Sequence, residues 1–224
     1  MELTDYEEKV IPVIASARQL MCEYKRDFGL KDAVFLYIKN ELDNVLGLQT
    51  YSSSRYDGAF ICDNYWLVNP GEGEDSDSLC ITISHMVDGH AVFGAVSYGQ
   101  DIYYAMQGHG AYKLRDNRTT SIKTSGRSEG ICAGVKYPHL LILKKRMVNR
   151  ISPILKNASK VRSFTSTSLG MCLVASGTLD LFVEFNIRDH TDAGRLILEE
   201  AGGAVVCSGD SWFTNDIYCI NSGI

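Results

Sequence analysis

The sequence predicts a mixed α/β protein made of stacked layers of helix and sheet. The first residues show helical periodicity, the middle of the chain is a series of short strand-like segments, and the last third alternates strands with helices. Such elements bury their apolar faces by packing against another layer. We therefore expect a single domain over residues 1–224, with helices and a β-meander at 1–130 and an alternating α/β part at 131–224.

Two amphipathic helices are predicted at the N-terminus. In the first, apolar side chains recur every three or four residues, and Pro12 either kinks the helix or marks a later start. The second spans Asp32 to Leu46. The predicted buried positions are Val10, Ile14, Ala17, Met21, Tyr24 and Phe28 in the first helix and Val34, Tyr37, Ile38, Leu42 and Val45 in the second.

An antiparallel meander is predicted for the middle of the chain. Turns at Asp88–Gly89, Gly99–Gln100 and Gly108–Gly110 separate segments rich in β-branched and aromatic residues. Apolar meander side chains that the core leaves uncovered are expected to pair subunits. The predicted strands are 60–68, 80–86, 91–97, 102–106 and 111–114, and the apolar candidates are Ile81, Ile83, Val92 and Phe93.

Strands and helices alternate in the rest of the chain. A basic amphipathic helix over residues 140–158 is interrupted by Pro153, and a later helix over 191–201 is stopped by Gly202 and Gly203, which is typical of helix C-termini. The remaining predicted elements are strands at 131–136, 161–164, 179–185, 204–207 and 217–220 and a helix at 168–176.

Composition argues against several classes of protein. The net charge of −5 disfavours a nucleic-acid partner, because phosphate contacts require clustered positive charge. No apolar run is long enough to cross a bilayer, and the first residues do not resemble a secretory signal, so no membrane association is expected. The seven cysteines form no C-x-x-C pair, which favours buried thiols in a reducing cytoplasm over a zinc site or disulfides.

Two stretches resemble a known family. Residues 65–74 read YWLVNPGEGE, where the inositol monophosphatase superfamily usually has W-x-V-D-P-x-D-G-T. Residues 172–180 read CLVASGTLD, and TDAG at 191–194 and EAGG at 200–203 follow, similar to the family's C-L-V-A-x-G-x-x-D, W-D-x-A-A-G and E-A-G-G motifs. The resemblance covers most of the chain from residue 60 onward.

The resemblance implies a layered αβαβα sugar-phosphatase-like fold. Active members of the superfamily, which include bisphosphate nucleotidase-like enzymes, use magnesium to hydrolyse small phosphomonoesters and are inhibited by lithium. Inositol phosphates and nucleotide 3′-phosphates are the usual substrates, and homodimers are common. For this chain the resemblance therefore implies a small phosphorylated ligand and a homodimer. Magnesium would need hard carboxylate oxygens to hold it.

The first motif is substituted at its functional positions. Asn69 stands at the first motif aspartate, so the bridging metal ligand loses its charge, and Glu72 at the second aspartate moves its charge outward by a methylene. Glu74 replaces the threonine that orients the attacking water in the family. The resemblance therefore places Glu72 and Glu74 at the catalytic motif positions. Both are substitutions that we expect to weaken the catalytic activity of the protein. The acidic turn 72–77 is either simply solvated or a loose divalent-cation loop.

The other metal positions are substituted as well. His190 stands at the aspartate expected ten residues before the EAGG motif, and imidazole is a poor magnesium ligand. Asp192 and Asp189 flank it but point in other directions on a helix. Upstream, Leu48 and Gln49 follow a glycine where the family has two glutamates. We therefore assign Asn69, Glu72, His190 and Asp192 to a weak or lost metal site.

Part of the substrate side is retained. Glu184 matches the acidic residue that contacts substrate hydroxyls in the family, and Ser166 and Thr167 match a small-residue loop beside the substrate. Gly73 belongs to the motif that faces the phosphate. Ser166 and Thr167 are also suited simply to cap the following helix, and Glu184 to end its strand in solvent.

Three functional hypotheses remain. In the first, phosphatase chemistry is lost or weakened, magnesium binds weakly or not at all, and the protein acts by binding a ligand or a protein partner. In the second, the chain is an active magnesium-dependent phosphomonoesterase whose site is rebuilt from Glu72, Asp189, Asp192 and Asn69. In the third, the old cleft is a non-catalytic sensor of a small molecule or cation.

Overall fold

The computed structural model describes the backbone of residues 1–23, 30–52, 64–72, 80–136, 151–154, 156–185, 191–208 and 216–223. Residues 151–154 are helical. The other helices are α1 (Leu3–Lys9), α2 (Ile11–Glu23), α3 (Leu30–Leu46), α4 (Thr167–Ala175) and α5 (Asp192–Glu200).

The strands form two sheets. In the larger sheet seven strands follow chain order, with β1 parallel to β2 and all other neighbours antiparallel. They are β1 (Thr50–Ser52), β2 (Asn64–Glu72), β3 (Cys80–Val87), β4 (His90–Tyr98), β5 (Asp101–Met106), β6 (Ala111–Arg115) and β7 (Arg118–Ile122).

The smaller sheet has the strand order β11-β12-β10-β8-β9. Strands β9, β8 and β10 are parallel neighbours, and β12 lies antiparallel between β10 and β11. The strands are β8 (Cys132–Lys136), β9 (Lys160–Ser163), β10 (Leu181–Glu184), β11 (Ala204–Ser208) and β12 (Asp216–Ile220).

Three apolar clusters stack these elements into five layers. Helices α1, α2 and α3 pack on one face of the larger sheet through residues such as Ile14, Ile38 and Phe93. Helices α4 and α5 fill the space between the two sheets. Ile151 and Ile154 cover the far face of the smaller sheet. The order is α, β, α, β, α, so the layered fold class is confirmed.

The N-terminal helices follow the predicted periodicity. Helix α1 ends at Lys9 and α2 begins at Ile11, so Pro12 lies in the first turn of a second helix, where its missing N–H costs no hydrogen bond. All the predicted positions that fall on described side chains are buried or half-buried. Tyr24 and Phe28 lie outside the described residues.

Two strands of the larger sheet were not expected from the sequence. Strand β7 reads RTTSI and is almost entirely exposed, so it lacks the apolar alternation from which strands are recognised. It is formed by pairing with β6 through a tight turn at Asp116 and Asn117, whose φ angles of 49° and 58° are typical of a two-residue hairpin. The short strand β1 is the second strand that was not expected from the sequence.

The described cysteines are free thiols. Cys80, Cys132, Cys172 and Cys219 are buried, whereas Cys207 on the edge strand β11 is exposed. None of the described helices is both long enough and apolar enough to cross a membrane. Residues 140–150 of the predicted basic helix lie outside the described residues.

An aromatic cluster anchors α1 on the larger sheet. The Tyr6 hydroxyl lies 2.6 Å from Nδ1 of His85, and the Tyr6 ring stacks on Phe93 with centroids 4.2 Å apart. The Trp66 ring lies 4.7 Å from the His85 ring. Burial lowers the pKa of His85 to about 4, so the imidazole is neutral at pH 7.

Asp180 ties the segment between β7 and β8 to the smaller sheet. Its fully buried carboxylate accepts hydrogen bonds from the Ser125 hydroxyl, the Arg127 guanidinium, the Cys132 N–H and the Asn221 amide. Burial acts to raise the pKa of Asp180, but these hydrogen bonds and the charge of Arg127 together lower it below its usual value. The carboxylate is therefore charged inside the fold.

Asp180→Asn should lower the free energy of unfolding by about 2–4 kcal/mol at pH 7, because the amide turns a donor toward groups that also donate. The wild-type carboxylate stabilises the fold above its unfolded pKa of about 3.9, and this contribution is lost as the pH falls further. The stability difference, measured by urea denaturation, should therefore shrink below about pH 4. Asp116→Asn, the same change at an exposed turn, is the control. A difference that persists unchanged at pH 3 would contradict this reasoning.

Helix α5 lies directly on the larger sheet. A methyl group placed on Gly94 of β4 would approach the Ala193 Cα to 2.7 Å, and one placed on Gly194 would approach the Ser168 Cα of α4 to 3.0 Å. The first turn of α5 is therefore held between β4 and α4 with no room for a methyl group on the sheet side and almost none on the α4 side.

Gly94→Ala should destabilise the protein by about 1–3 kcal/mol, since β4 and α5 must separate to accept the methyl group. Ser121→Thr adds a methyl group at an exposed position of β7 and should leave stability nearly unchanged. Urea denaturation at pH 7 compares the two. Equal stability of both variants would show that the helix accommodates the methyl group by a costless shift.

Candidate active site

Three chain elements meet at a buried polar cluster on the smaller sheet. Lys136 ends β8, Glu184 ends β10, and Thr167 begins α4. Strands β8 and β10 are parallel, and their register pairs Lys136 with Glu184. Because parallel strands end at the same edge of a sheet, the two charged side chains lie side by side below the first turn of α4. Crevices at this edge are the usual ligand sites of open α/β sheets.

Both carboxylate oxygens of Glu184 are engaged by the chain itself. The Lys136 ammonium lies 2.9 Å from Oε1, and the Thr167 hydroxyl donates a short hydrogen bond to Oε2. Lys136 also donates to the Thr167 hydroxyl at 2.9 Å. Glu184 is only 6% exposed and Thr167 is fully buried. Glu184 is therefore paired with a cation and is not the exposed strand-end residue that was one of the expectations.

Ser166 holds the start of α4. Its hydroxyl accepts a hydrogen bond from the Leu169 N–H at 3.0 Å, and its side chain is fully buried. This is the N-cap role that the residue type favours. The cap holds the first turn of α4 in place, and Thr167 in that turn reaches Glu184.

Asn69 lies on the larger sheet. It is half-buried in β2 and paired with Thr82 of β3. Trp66 and Val68 face the N-terminal helices. Since side chains alternate along a strand, Leu67 and Asn69 point to the opposite face of the sheet, which is the side of α4 and α5. The side chains level with Asn69 on the next two strands, Thr82 and Val96, are uncharged.

The register of β1 corrects the position assigned to the upstream family glutamates. Ser52 of β1 pairs with Val68, whereas Leu48 precedes β1 and packs against the N-terminal helix layer. Leu48 is therefore too far back along the chain to lie beside Asn69.

The β2–β3 connection is short. Strand β2 continues through Glu72, whose register partner is Cys80, with a bulge between Asn69 and Glu72. The connection is therefore limited to residues 73–79. Gly73, Glu74 and the Glu72 side chain lie outside what the structure describes, as does His190.

Asp192 is the first residue of α5 and lines an open cleft with His90 and Arg195, beside the turn between β3 and β4. Its neighbour Ala193 lies against Gly94 of β4. Asn69 lies level with Val96, two residues along β4 from Gly94.

Within the described ranges no three His, Cys, Asp or Glu side chains are arranged to hold a metal ion. Asn69 offers only a neutral oxygen, and Glu184 already neutralises Lys136. Cys219 offers no nucleophile, because burial and the nearby Glu184 carboxylate raise the pKa of its thiol.

Lys136 is the site residue that sequence reasoning missed. It ends a correctly predicted strand, and a charged residue closing a buried strand was the available signal. Its partner is 48 positions away in the chain, and the pairing follows only from the parallel register of β8 and β10.

The five layers, with α4 and α5 between the two sheets, define the αβαβα sugar-phosphatase-like fold. The model of the inositol monophosphatase family matches residues 73–222, and the chain belongs to this family. The inositol monophosphatase of Anabaena (Nostoc) sp. PCC 7120 has the same fold, with a TM-score of 0.82 at 19% identity over 100% of this chain and 93% of that one. CysQ from Bacteroides thetaiotaomicron gives 0.74 at 17% identity over 96% of each chain.

Curated relatives carry several names. The putative Nus factor SuhB of Neisseria meningitidis serogroup B is 36% identical over 131 residues, which are 54% of this chain and 48% of the relative. Inositol monophosphatase 2 of Solanum lycopersicum is 29% identical over 161 residues, 66% of this chain and 59% of the relative. The bifunctional NADP phosphatase/NAD kinase of Methanococcus maripaludis is 36% identical over 117 residues, 47% and 19%. The matches thus span less than two thirds of each of these relatives.

Lys136→Met should lower the free energy of unfolding by about 2–4 kcal/mol, because it leaves Glu184 buried without its cation. The double variant Lys136→Met/Glu184→Gln should regain at least half of that loss. A double-mutant cycle with Glu184→Gln, measured by urea denaturation, isolates the pair. Lys9→Met, which breaks an exposed ion pair with Asp5, should cost less than about 1 kcal/mol. Additive single effects would show that Lys136 and Glu184 are not coupled.

Proposed function

We propose that this chain is an inositol-monophosphatase-family protein in which phosphatase activity is lost or strongly weakened, and that it acts by binding a small phosphorylated ligand or a protein partner. The observation that carries the proposal is the buried Lys136–Glu184–Thr167 cluster. Glu184, which would bind a substrate hydroxyl, is instead bound by Lys136 and Thr167 of the chain itself. Releasing it would mean breaking a buried ion pair, which is costly.

The metal side supports the same proposal. Hydrolysis in the family depends on carboxylates that hold magnesium, which would neutralise the phosphate and activate a water. Here the described residue at the first motif position is the neutral Asn69. Its register partner on β3 is Thr82, which is also uncharged. We derive no metal-dependent step for this chain.

The N-terminal turn of α4 favours an anion at this edge of the smaller sheet. Lys136 and Glu184 balance each other's charge beneath it. Backbone N–H groups at a helix N-terminus attract phosphate oxygens. These features suit recognition of a phosphorylated small molecule without turnover. Family names alone do not decide between the two roles, since the relatives include a putative Nus factor and phosphatases.

We further propose a homodimer in the cytoplasm, as the family resemblance implies. The meander gives it little support, because Ile81, Ile83 and Phe93 are buried under the N-terminal helices and Val92 is half-buried. Light scattering at micromolar concentration would give a dimeric mass if this proposal holds. A monomeric mass would contradict it.

Purified wild-type protein should hydrolyse inositol 1-phosphate and adenosine 3′,5′-bisphosphate at or near background with millimolar magnesium. Calorimetry should detect no magnesium binding at sub-millimolar concentration, because Asn69, Glu72 and His190 stand where the family has aspartates. An active family member assayed in parallel is the control. Magnesium-dependent, lithium-sensitive turnover near about 1 per second or faster would establish the active-enzyme alternative.

Restoring the family pattern tests the cause. The variant Asn69→Asp/Glu72→Asp/Glu74→Thr/His190→Asp should bind magnesium more tightly than wild type, whereas each single change should do little, since ligands of one centre act together. Leu48→Glu is the control, because Leu48 packs in the core and should lose stability without gaining metal. If the variant with all four changes has wild-type magnesium affinity, the short segment before Cys80, and not ligand identity, limits binding.

A further inference from the structure

A groove lined by basic side chains lies on the β6–β7 hairpin, away from the candidate site. Its volume is about 570 Å³, and Lys113, Arg115, Asp116, Arg118 and Thr120 line it. Side chains alternate along a strand, and the register pairs Arg115 with Arg118 and Lys113 with Thr120. The four strand residues therefore project from one face of the hairpin.

One buried carboxylate holds two of the cations. The Lys113 ammonium lies 2.9 Å from Oδ2 of Asp101, and the Arg115 Nε lies 2.5 Å from Oδ1. Arg115 also donates from Nη2 to Oδ2 at 3.0 Å. The Asp101 side chain is 8% exposed, and Lys113 is further placed over the Tyr103 ring. These contacts position both cations before any ligand arrives.

Arg118 is the unusual member of the group. It stands directly opposite Arg115 across the hairpin, and like charges in a cross-strand pair are destabilising. Arg118 is exposed, and in the described part of the chain it has no ion-pair partner. Three cations face two carboxylates, Asp101 and Asp116, so the groove is locally positive in a chain of net charge −5.

We propose that this groove binds the phosphate group of a small phosphorylated molecule, with Arg118 as the principal contact and Arg115 beside it. An arginine guanidinium matches a phosphate bidentately, and a bound anion would relieve the repulsion between the paired arginines. Lys113 and the Thr120 hydroxyl line the same groove and complete the donor set. This site is independent of the function proposed for the Lys136–Glu184–Thr167 cluster.

Calorimetric titration with inorganic pyrophosphate in a low-salt, phosphate-free buffer tests the proposal. Wild-type protein should bind pyrophosphate, and Arg118→Gln should weaken the affinity at least tenfold. Arg162→Gln removes the same charge from an exposed strand of the smaller sheet and should leave the affinity unchanged. In the absence of pyrophosphate, Arg118→Gln should melt at the wild-type temperature or above it, because a repulsive pair has been removed.

No binding by wild type, or equal binding by wild type and Arg118→Gln, would overturn the proposal. Equal weakening by Arg118→Gln and Arg162→Gln would also overturn it, since the effect would then reflect only net charge. A lower melting temperature of Arg118→Gln without pyrophosphate would assign the arginine to the fold and likewise contradict a ligand role.

Discussion

The close contact of helix α5 with its two neighbours is the constraint on which the rest of the structure depends. Gly94 of β4 and Gly194 of α5 leave no space for a methyl group on the sheet side of the helix and very little on the side of α4. Since α4 also covers the smaller sheet, this contact sets the spacing of the three central layers. The start of α4, with Ser166 and Thr167, is brought over the edge of the smaller sheet by the same packing.

The position of the start of α4 determines which polar groups meet at the edge of the smaller sheet. Thr167 reaches Glu184 only because α4 begins at the edge where β8 and β10 end. Lys136 completes the cluster, and the three groups satisfy one another within a nearly dry environment. In a low-dielectric site a charge that is already paired is expensive to separate. The edge of the smaller sheet is therefore preorganised around this ion pair.

Much of the fold could be predicted from local patterns. Periodicity and turn chemistry within a few residues were enough to predict the strands of the described meander. The same local signals predicted the late alternation of strands and helices and the helix end at Gly202. Strand β7 was missed because a polar edge strand is held by its partner and not by its own sequence. The expected place of Leu48 failed because spacing along the chain cannot reveal which residues a parallel strand brings level with Asn69.

The sequence by itself determined the family, the layered class and the loss of charge at Asn69, since motifs and residue types are local properties. The tertiary structure decided which charges meet. Lys136 and Glu184 are joined by strand register, and Arg115 and Arg118 by the turn between their strands. Pairing of this kind depends on hydrogen-bonded neighbours that are far apart in the chain, so its partners become known only when the sheets are assembled.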